Sequence, residues 1–149
     1  MRLVIQRVSS AKLCVDQKEI ASIQHGFLVF IGVEKGDSIN DVSWLVSKLI
    51  GLRVFSDNEG KMNHSILEVQ GSLLIVSQFT LFASLAKGMR PSFSRSANPI
   101  EAKSLYDLFV LMLRRACTDV QTGVFGADMQ VSLVNDGPVT ITIDSKNKE

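Results

Sequence analysis

Phe27-Leu28-Val29-Phe30-Ile31-Gly32-Val33 decides how this chain is built. The run is apolar without a break and rich in β-branched and aromatic residues, which suits a strand buried on both faces. Upstream, Leu3 to Val8 is also β-rich, and Leu13 to Asp16 and Glu19 to Ile23 flank Gln17-Lys18 as a hairpin. Downstream, Asp37 or Ser38 can cap a helix, with Asp41 three residues after Ser38 in a near capping-box pattern. Val42, Leu45, Val46 and Leu49 recur at helical spacing and form one buried stripe, and Gly51 is a natural stop. Leu52 to Ser56 returns to strand, and Asp57 to Lys61 reads as a turn.

The second half repeats the alternation. Ser72 to Gln78 is another buried strand, running into Phe79-Thr80-Leu81-Phe82. A long polar connection follows, Ser84 to Ala97, carrying Lys87, Gly88, Arg90, Pro91 and Arg95; a connection of that length is usually functional or mobile. Asn98 caps a second helix, with Pro99 at its first position and Glu101 three residues after the cap. Ala102, Leu105, Phe109, Met112, Leu113 and Ala116 form its apolar stripe, and Arg114 and Arg115 sit where the helix dipole favours cations. Met129 to Val134 and Val139 to Ile143 read as two closing strands, joined by a turn at Asn135-Asp136-Gly137-Pro138. Ser145 to Glu149 reads as a flexible, solvated tail. With no internal repeat and no linker, the expectation is one domain over residues 1–149. Its class is α/β: a curved, largely antiparallel, barrel-like sheet with two main helices outside.

A length of 149 residues with 46 % hydrophobic and 21 % charged content is enough to fill a core. A net charge of +1 does not by itself signal a nucleic-acid binder, although a basic face can coexist with a neutral total. Cys14 and Cys117 show no CxxC or Cys/His spacing, so no zinc site is supported, and free thiols suit a reducing compartment. The N-terminal stretch is too short and too interrupted by charge for a signal peptide. No apolar run approaches the roughly 20 residues of a membrane span. A cytoplasmic protein without metal or cofactor is expected.

Catalytic signals are sparse. His25 and His64 are each isolated in turn-like settings, with no nucleophile motif beside them. There is no GxSxG elbow, Walker loop or dinucleotide fingerprint. Hydroxyls remain. Ser77 and Thr80 lie at the end of a buried strand with Gln78 between them. A strand end releases backbone N–H groups, which together with hydroxyl and amide side chains can hold an oxyanion. Without a base, such hydroxyls are poor nucleophiles. Taken by themselves, these residues read first as a strand end whose side chains satisfy the local backbone, since such capping is common. Gly137-Pro138 combines a residue that tolerates close approach with one that stiffens the chain, and a plain tight turn is the alternative. Lys61, Lys87, Arg90 and Arg95 form either a basic patch for phosphates or a solvated loop.

The chain resembles the D-aminoacyl-tRNA deacylases of the bacterial and general eukaryotic type. The resemblance is carried by Gln6-Arg7-Val8, Leu52 to Phe55, Gly60 to Asn63, Ser77-Gln78-Phe79-Thr80-Leu81, Lys87 to Phe93, Leu105-Tyr106, Gly123 to Met129 and Asn135 to Thr140, which together span almost the whole sequence. It implies hydrolysis of the ester between a D-amino acid and the 3′-terminal adenosine of tRNA, and a homodimer. Gly137-Pro138, with a cis bond, would reach into the partner's site, where its carbonyls face the substrate's α-amino group and leave no space for an L side chain. Glycine, lacking a side chain, would pass. Ser77, Gln78, Phe79 and Thr80 would form the pocket floor, with Phe79 and Thr80 N–H near the scissile carbonyl and Gln78 near the terminal nucleotide. Arg7 would brace the Gly-Pro turn, with Phe125 and Met129 nearby and Asn135 supporting it. Lys87, Arg90 and Arg95 become candidate tRNA contacts. The family scheme needs no metal, because the substrate's own 2′-hydroxyl assists and the protein mainly positions ester and water. Ser84 and Met89 depart from the usual family residues and bear on the tRNA contacts.

Two further functions fit the residues. One is a general ester hydrolase with Thr80 as nucleophile; the other is a non-catalytic RNA-binding dimer.

Overall fold

The structure is a computed structural model that describes residues 1–117 and 119–148. Its organising element is β1 (Arg2–Val15), which is long enough to take three partners. Along one edge it pairs antiparallel with β3 (Gly26–Gly32) over Arg2–Val8, and with β2 (Lys18–Ile23) over Ala11–Val15. Along the other edge it pairs with β8 (Gln130–Asp144) for almost its whole length. Beyond β3 the sheet turns parallel, to β6 (Ser72–Ser77) and then β7 (Val120–Thr122). Parallel neighbours need long crossovers. Here these contain α1 (Ile39–Gly51) and α2 (Pro99–Ala116). The result is the expected α/β class, with a curved mixed sheet and two helices packed side by side on one face.

β3 behaves as its composition demands. Phe27, Val29 and Ile31 enter the core beneath the helices, against Leu45, Leu49, Phe109 and Leu113. Leu28 enters a second core on the opposite face with Val8, Leu13, Leu74 and Val76. Gly26 allows β3 and β6 to start together, because a Cβ there would lie 1.9 Å from Ser72 O. Burying one large apolar side chain of this kind contributes about 1.5–3 kcal/mol, so the two-faced strand is a major source of cohesion.

The helix signals hold. Ser38 N–H donates to the Asp41 carboxylate at 2.8 Å, and Glu101 N–H donates to Asn98 Oδ1 at 3.0 Å. In α2 the fully buried face is Tyr106, Phe109, Val110 and Leu113, whereas Ala116 is exposed. The hairpin turn sits one residue earlier than expected, at Asp16-Gln17, both with positive φ as a two-residue antiparallel hairpin requires. Leu52–Ser56 contributes only the short β4 (Phe55–Ser56), paired with β5 (Met62–His64). Phe79–Phe82 is a 3₁₀ turn rather than a continuation of strand.

Two expectations are corrected. The segment at Asn135–Pro138 does not reverse the chain. β8 runs through it as one strand, pairing with β1 on both sides. The segment beginning at Ser145 is tied down rather than free. Ser145 is buried, accepting from the Met1 amine at 2.7 Å and donating to Asp41 Oδ1 at 2.6 Å. The Lys146 ammonium lies 3.1 Å from Asp37 and 3.5 Å from Glu34, and that of Lys148 lies 4.9 Å from the Trp44 ring centre. Opposite charges and an aromatic face on α1 and its N-terminal approach hold these residues. Glu149 lies outside the described residues.

Candidate active site

Where β6 ends, Gln78 N–H makes a last bond to Ile31 O at 2.8 Å, and the chain then winds into the 3₁₀ turn Phe79–Phe82. The four carbonyls from Gln78 to Leu81 are engaged. Gln78 O accepts from Leu81 N–H at 3.3 Å, Thr80 O from Ala83 N–H at 3.0 Å, Phe79 O from Ser96 Oγ at 3.0 Å and Leu81 O from Arg2 Nη1 at 2.7 Å. The N–H groups of Phe79 and Thr80 open the turn and have no acceptor within it. The Gln78 amide donates to Thr80 Oγ1, which leaves the hydroxyl proton of Thr80 to point elsewhere. Phe79 is 58 % exposed and meets Phe93 edge-on at 5.0 Å.

This floor opens into a cleft of about 480 Å³. Ser77, Gln78 and Phe79 line one side, Ser96, Ala102 and Tyr106 another, and Phe125 through Met129 a third. Ser77–Phe79, Phe125 and Met129, separated by about a third of the sequence, therefore share one cavity, with Thr80 just outside its lining. Tyr106 packs 5.6 Å from Phe125, and its hydroxyl donates to Ile75 O at 3.0 Å. Burial pushes the Tyr106 phenol up to about 12. It is a structural donor at neutral pH, not an acid or base. Among the described residues, the other titratable one in the lining is Asp128, and no histidine, lysine or arginine lines the cleft. His25 packs edge-on against Phe55 and His64 lies 3.5 Å from Glu68, each away from the cavity. Among the described residues no group of three or more His, Cys, Asp or Glu side chains comes together.

The Gly137-Pro138 segment is an excursion from β8. Val8 pairs with Asn135 and Gln6 with Thr140, so Asp136–Val139 face the single residue Arg7. Arg7 is buried beneath them, and its Nε donates to Asp136 O at 3.1 Å. The same guanidinium lies 3.3 Å from the Asp136 carboxylate and donates through Nη1 to Val54 O at 2.5 Å. The neck of the excursion is tied by Asn135, whose Nδ2 donates to Gln6 Oε1 at 2.6 Å and whose Oδ1 accepts from Val139 N–H at 3.2 Å. The Gly137–Pro138 bond is cis, and both residues are exposed.

Arg7 and Asn135 thus gather at Gly137-Pro138, while Phe125 and Met129 gather at the cleft; the two groups do not meet within one chain. Ser77 shares the register of Leu3, the excursion that of Arg7, and three strand spacings separate β8 from β6. At about 3.3 Å per residue and about 4.8 Å per strand, the separation is roughly 20 Å. Of the three candidate cations, Arg95 is committed internally, 2.7 Å from Glu34 and stacked over Phe82. Lys87 and Arg90 are exposed and have no partner among the described residues. Tyr106 and Ser96 are lining residues to which the sequence assigned no role. The i, i+4 spacing of Ala102 and Tyr106 was the available signal for one, and nothing local distinguished the other.

The model of the family described as D-Tyr-tRNA(Tyr) deacylase matches residues 4–144. A D-aminoacyl-tRNA deacylase of Geobacter sulfurreducens is 53 % identical over 148 residues, covering 99 % of this chain and 97 % of the relative. The protein of that name from Flavobacterium psychrophilum is 51 % identical over 150 residues and covers 100 % of both. Among solved structures, a c-Myc DNA unwinding element binding protein superposes with a TM-score of 0.92 at 37 % identity, over 97 % of this chain and 98 % of that one. A probable eukaryotic D-amino acid tRNA deacylase shares the fold, with a TM-score of 0.80 at 20 % identity over 95 % of this chain and 97 % of that one.

Proposed function

We infer that this chain, which belongs to the D-Tyr-tRNA(Tyr) deacylase family, hydrolyses the ester of D-aminoacyl-tRNAs, releasing the D-amino acid and free tRNA. The observation that carries this reading is the donor set at the edge of the cleft: backbone N–H groups of Phe79, in the lining, and Thr80, beside it, with no acceptor among the described residues, and no histidine, lysine or arginine among the described lining residues. Such a site can stabilise a developing oxyanion but cannot generate a side-chain nucleophile. Chemistry then has to come from water, assisted by the 2′-hydroxyl that the terminal adenosine itself provides. Water adds to the ester carbonyl, the oxyanion forms against the N–H donors, and the 3′-oxygen leaves as the hydroxyl of tRNA.

Chirality is set across a homodimer. Gly137-Pro138 lies roughly 20 Å from Ser77 of its own chain by strand spacing, so only a second copy can bring it to the cleft. Its carbonyls would face the α-amino group and occupy the space that an L side chain needs; glycyl-tRNA, with no side chain, would be accepted. Arg7 and Asn135 hold that segment, and Phe125 and Met129 wall the cleft. Of the three candidate cations, Lys87 and Arg90 are available to meet tRNA phosphates, whereas Arg95 is paired with Glu34. The enzyme works in translation quality control, in the cytoplasm with its substrate. The test is paired incubation with D-tyrosyl-tRNA and L-tyrosyl-tRNA, where the D ester is hydrolysed and the L ester survives. Equal hydrolysis of both, or of neither, would overturn the reading.

A further inference from the structure

We propose that Ser96 is a positioning residue for the hydrolytic step, orienting and polarising the peptide unit that presents the Thr80 N–H. This rests on the deacylase reading, in which that N–H meets the developing oxyanion. The Phe79 carbonyl and the Thr80 N–H are the two ends of one planar amide. Ser96 Oγ donates to that carbonyl at 3.0 Å. A donor on the oxygen fixes the plane in which the N–H lies. It also draws electron density toward the oxygen and makes the N–H a stronger donor.

Ser96 is itself held in place. Its N–H donates to Phe93 O at 3.0 Å, and on its C-terminal side Ala97 N–H donates to Val33 O at 3.0 Å. On its N-terminal side Arg95 O accepts from Lys35 N–H at 3.0 Å, and the Arg95 guanidinium pairs with Glu34 at 2.7 Å. Arg95 also stacks 5.6 Å over Phe82, the fully buried foot of the same 3₁₀ turn, and Arg2 faces that ring at 4.8 Å. The Ser96 hydroxyl is therefore anchored independently of the substrate, as a positioning group must be.

A whole oxyanion donor is worth about 10²–10³ in kcat. Strengthening of about 10–30 % through a hydrogen-bond chain, taken on the logarithm of that factor, predicts a loss of about two- to eightfold without the hydroxyl. The experiment is single-turnover hydrolysis of D-tyrosyl-tRNA over a range of enzyme concentrations, for wild type, Ser96→Ala and Ser96→Thr. Ser96→Ala lowers the rate at saturation by that factor and leaves the half-saturating concentration unchanged, and Ser96→Thr restores the rate. An unchanged saturated rate, or a loss confined to half-saturation, would overturn the proposal, since the latter marks a substrate contact. A wild type that leaves the ester intact refutes the deacylase reading itself, whereas an active wild type with an equally active Ser96→Ala refutes only the role of Ser96.

Discussion

Replacing Gly137 by alanine perturbs the excursion at its tightest point. The added methyl would lie 2.8 Å from Val139 Cγ2, 3.0 Å from Arg7 Nη2 and 3.1 Å from Val139 N. Neither neighbour can easily give way. Val139 and Arg7 are both 8 % exposed, and the Arg7 guanidinium is spent on Asp136 O and Val54 O. The backbone φ at this position is +129°, a conformation L residues rarely adopt. Strain of that kind costs about 1–3 kcal/mol, and overpacking costs about 1–3 kcal/mol more. Because Gly137 and Pro138 are exposed on their outer side, the segment can relax outward. The expected loss is therefore toward the low end, about 2 kcal/mol, or roughly 4–8 °C in Tm for a domain of this size. Relaxation moves the carbonyls that would meet the substrate. Deacylation of D-tyrosyl-tRNA, measured well below the unfolding transition, should fall by about tenfold, the equivalent of about 1.4 kcal/mol. Calorimetry and the deacylation assay read the two effects separately. A variant with wild-type Tm would refute the packing argument, and one with wild-type turnover and D/L discrimination would remove the excursion from the mechanism.

Other substitutions divide the site by role. Thr80→Ala should retain substantial activity, because Thr80 Oγ1 is held by the Gln78 amide, which cannot take its proton; complete loss of turnover at saturating enzyme would instead make Thr80 the nucleophile. Lys87→Glu with Arg90→Glu should weaken tRNA binding and flatten its salt dependence by about 0.7–0.9 log units per lost phosphate contact, read by binding titrations across salt. Arg95→Gln should leave that slope unchanged, because its charge is already paired with Glu34. Acid stability should depend on Asp41. Burial pulls its carboxyl upward, but hydrogen bonds from Ser145 and Ser38 outweigh that and hold it at about 2. A depressed carboxylate contributes stability above its unfolded pKa and loses it as pH falls through the folded value. Acid titration of Asp41→Asn followed by circular dichroism should therefore lose part of the wild-type decline between about pH 4 and pH 2. An identical acid limb would refute the assignment.

The parts legible in the sequence were those set by neighbours within one turn or one strand. The Asn98-Pro99 cap, the Ser38–Asp41 pair and the two-faced run Phe27–Gly32 all fold as read, because their causes lie within a few residues. The parts that were missed depend on distant pairing. Asn135-Asp136-Gly137-Pro138 has the composition of a turn, and only the pairing of β1 with both flanks makes it an excursion from one continuous strand. β7 is three residues long and gains its identity from β6 alone. Ser145 looks like tail until the Met1 amine and Asp41 close around it. At the site, Ser77–Thr80 was visible as an end-of-strand donor set. Joining it to Phe125 and Met129 required the crossover through α2. Ser96 had no local signature, because its partner, Phe79 O, lies 17 residues earlier in the sequence.

The most direct test of the central claim is the ratio of hydrolysis rates for D-tyrosyl-tRNA and L-tyrosyl-tRNA, measured side by side with one enzyme preparation. Rapid release from the D ester with the L ester left at its spontaneous rate is the predicted result. Equal rates on the two esters, or no release from either, would contradict it.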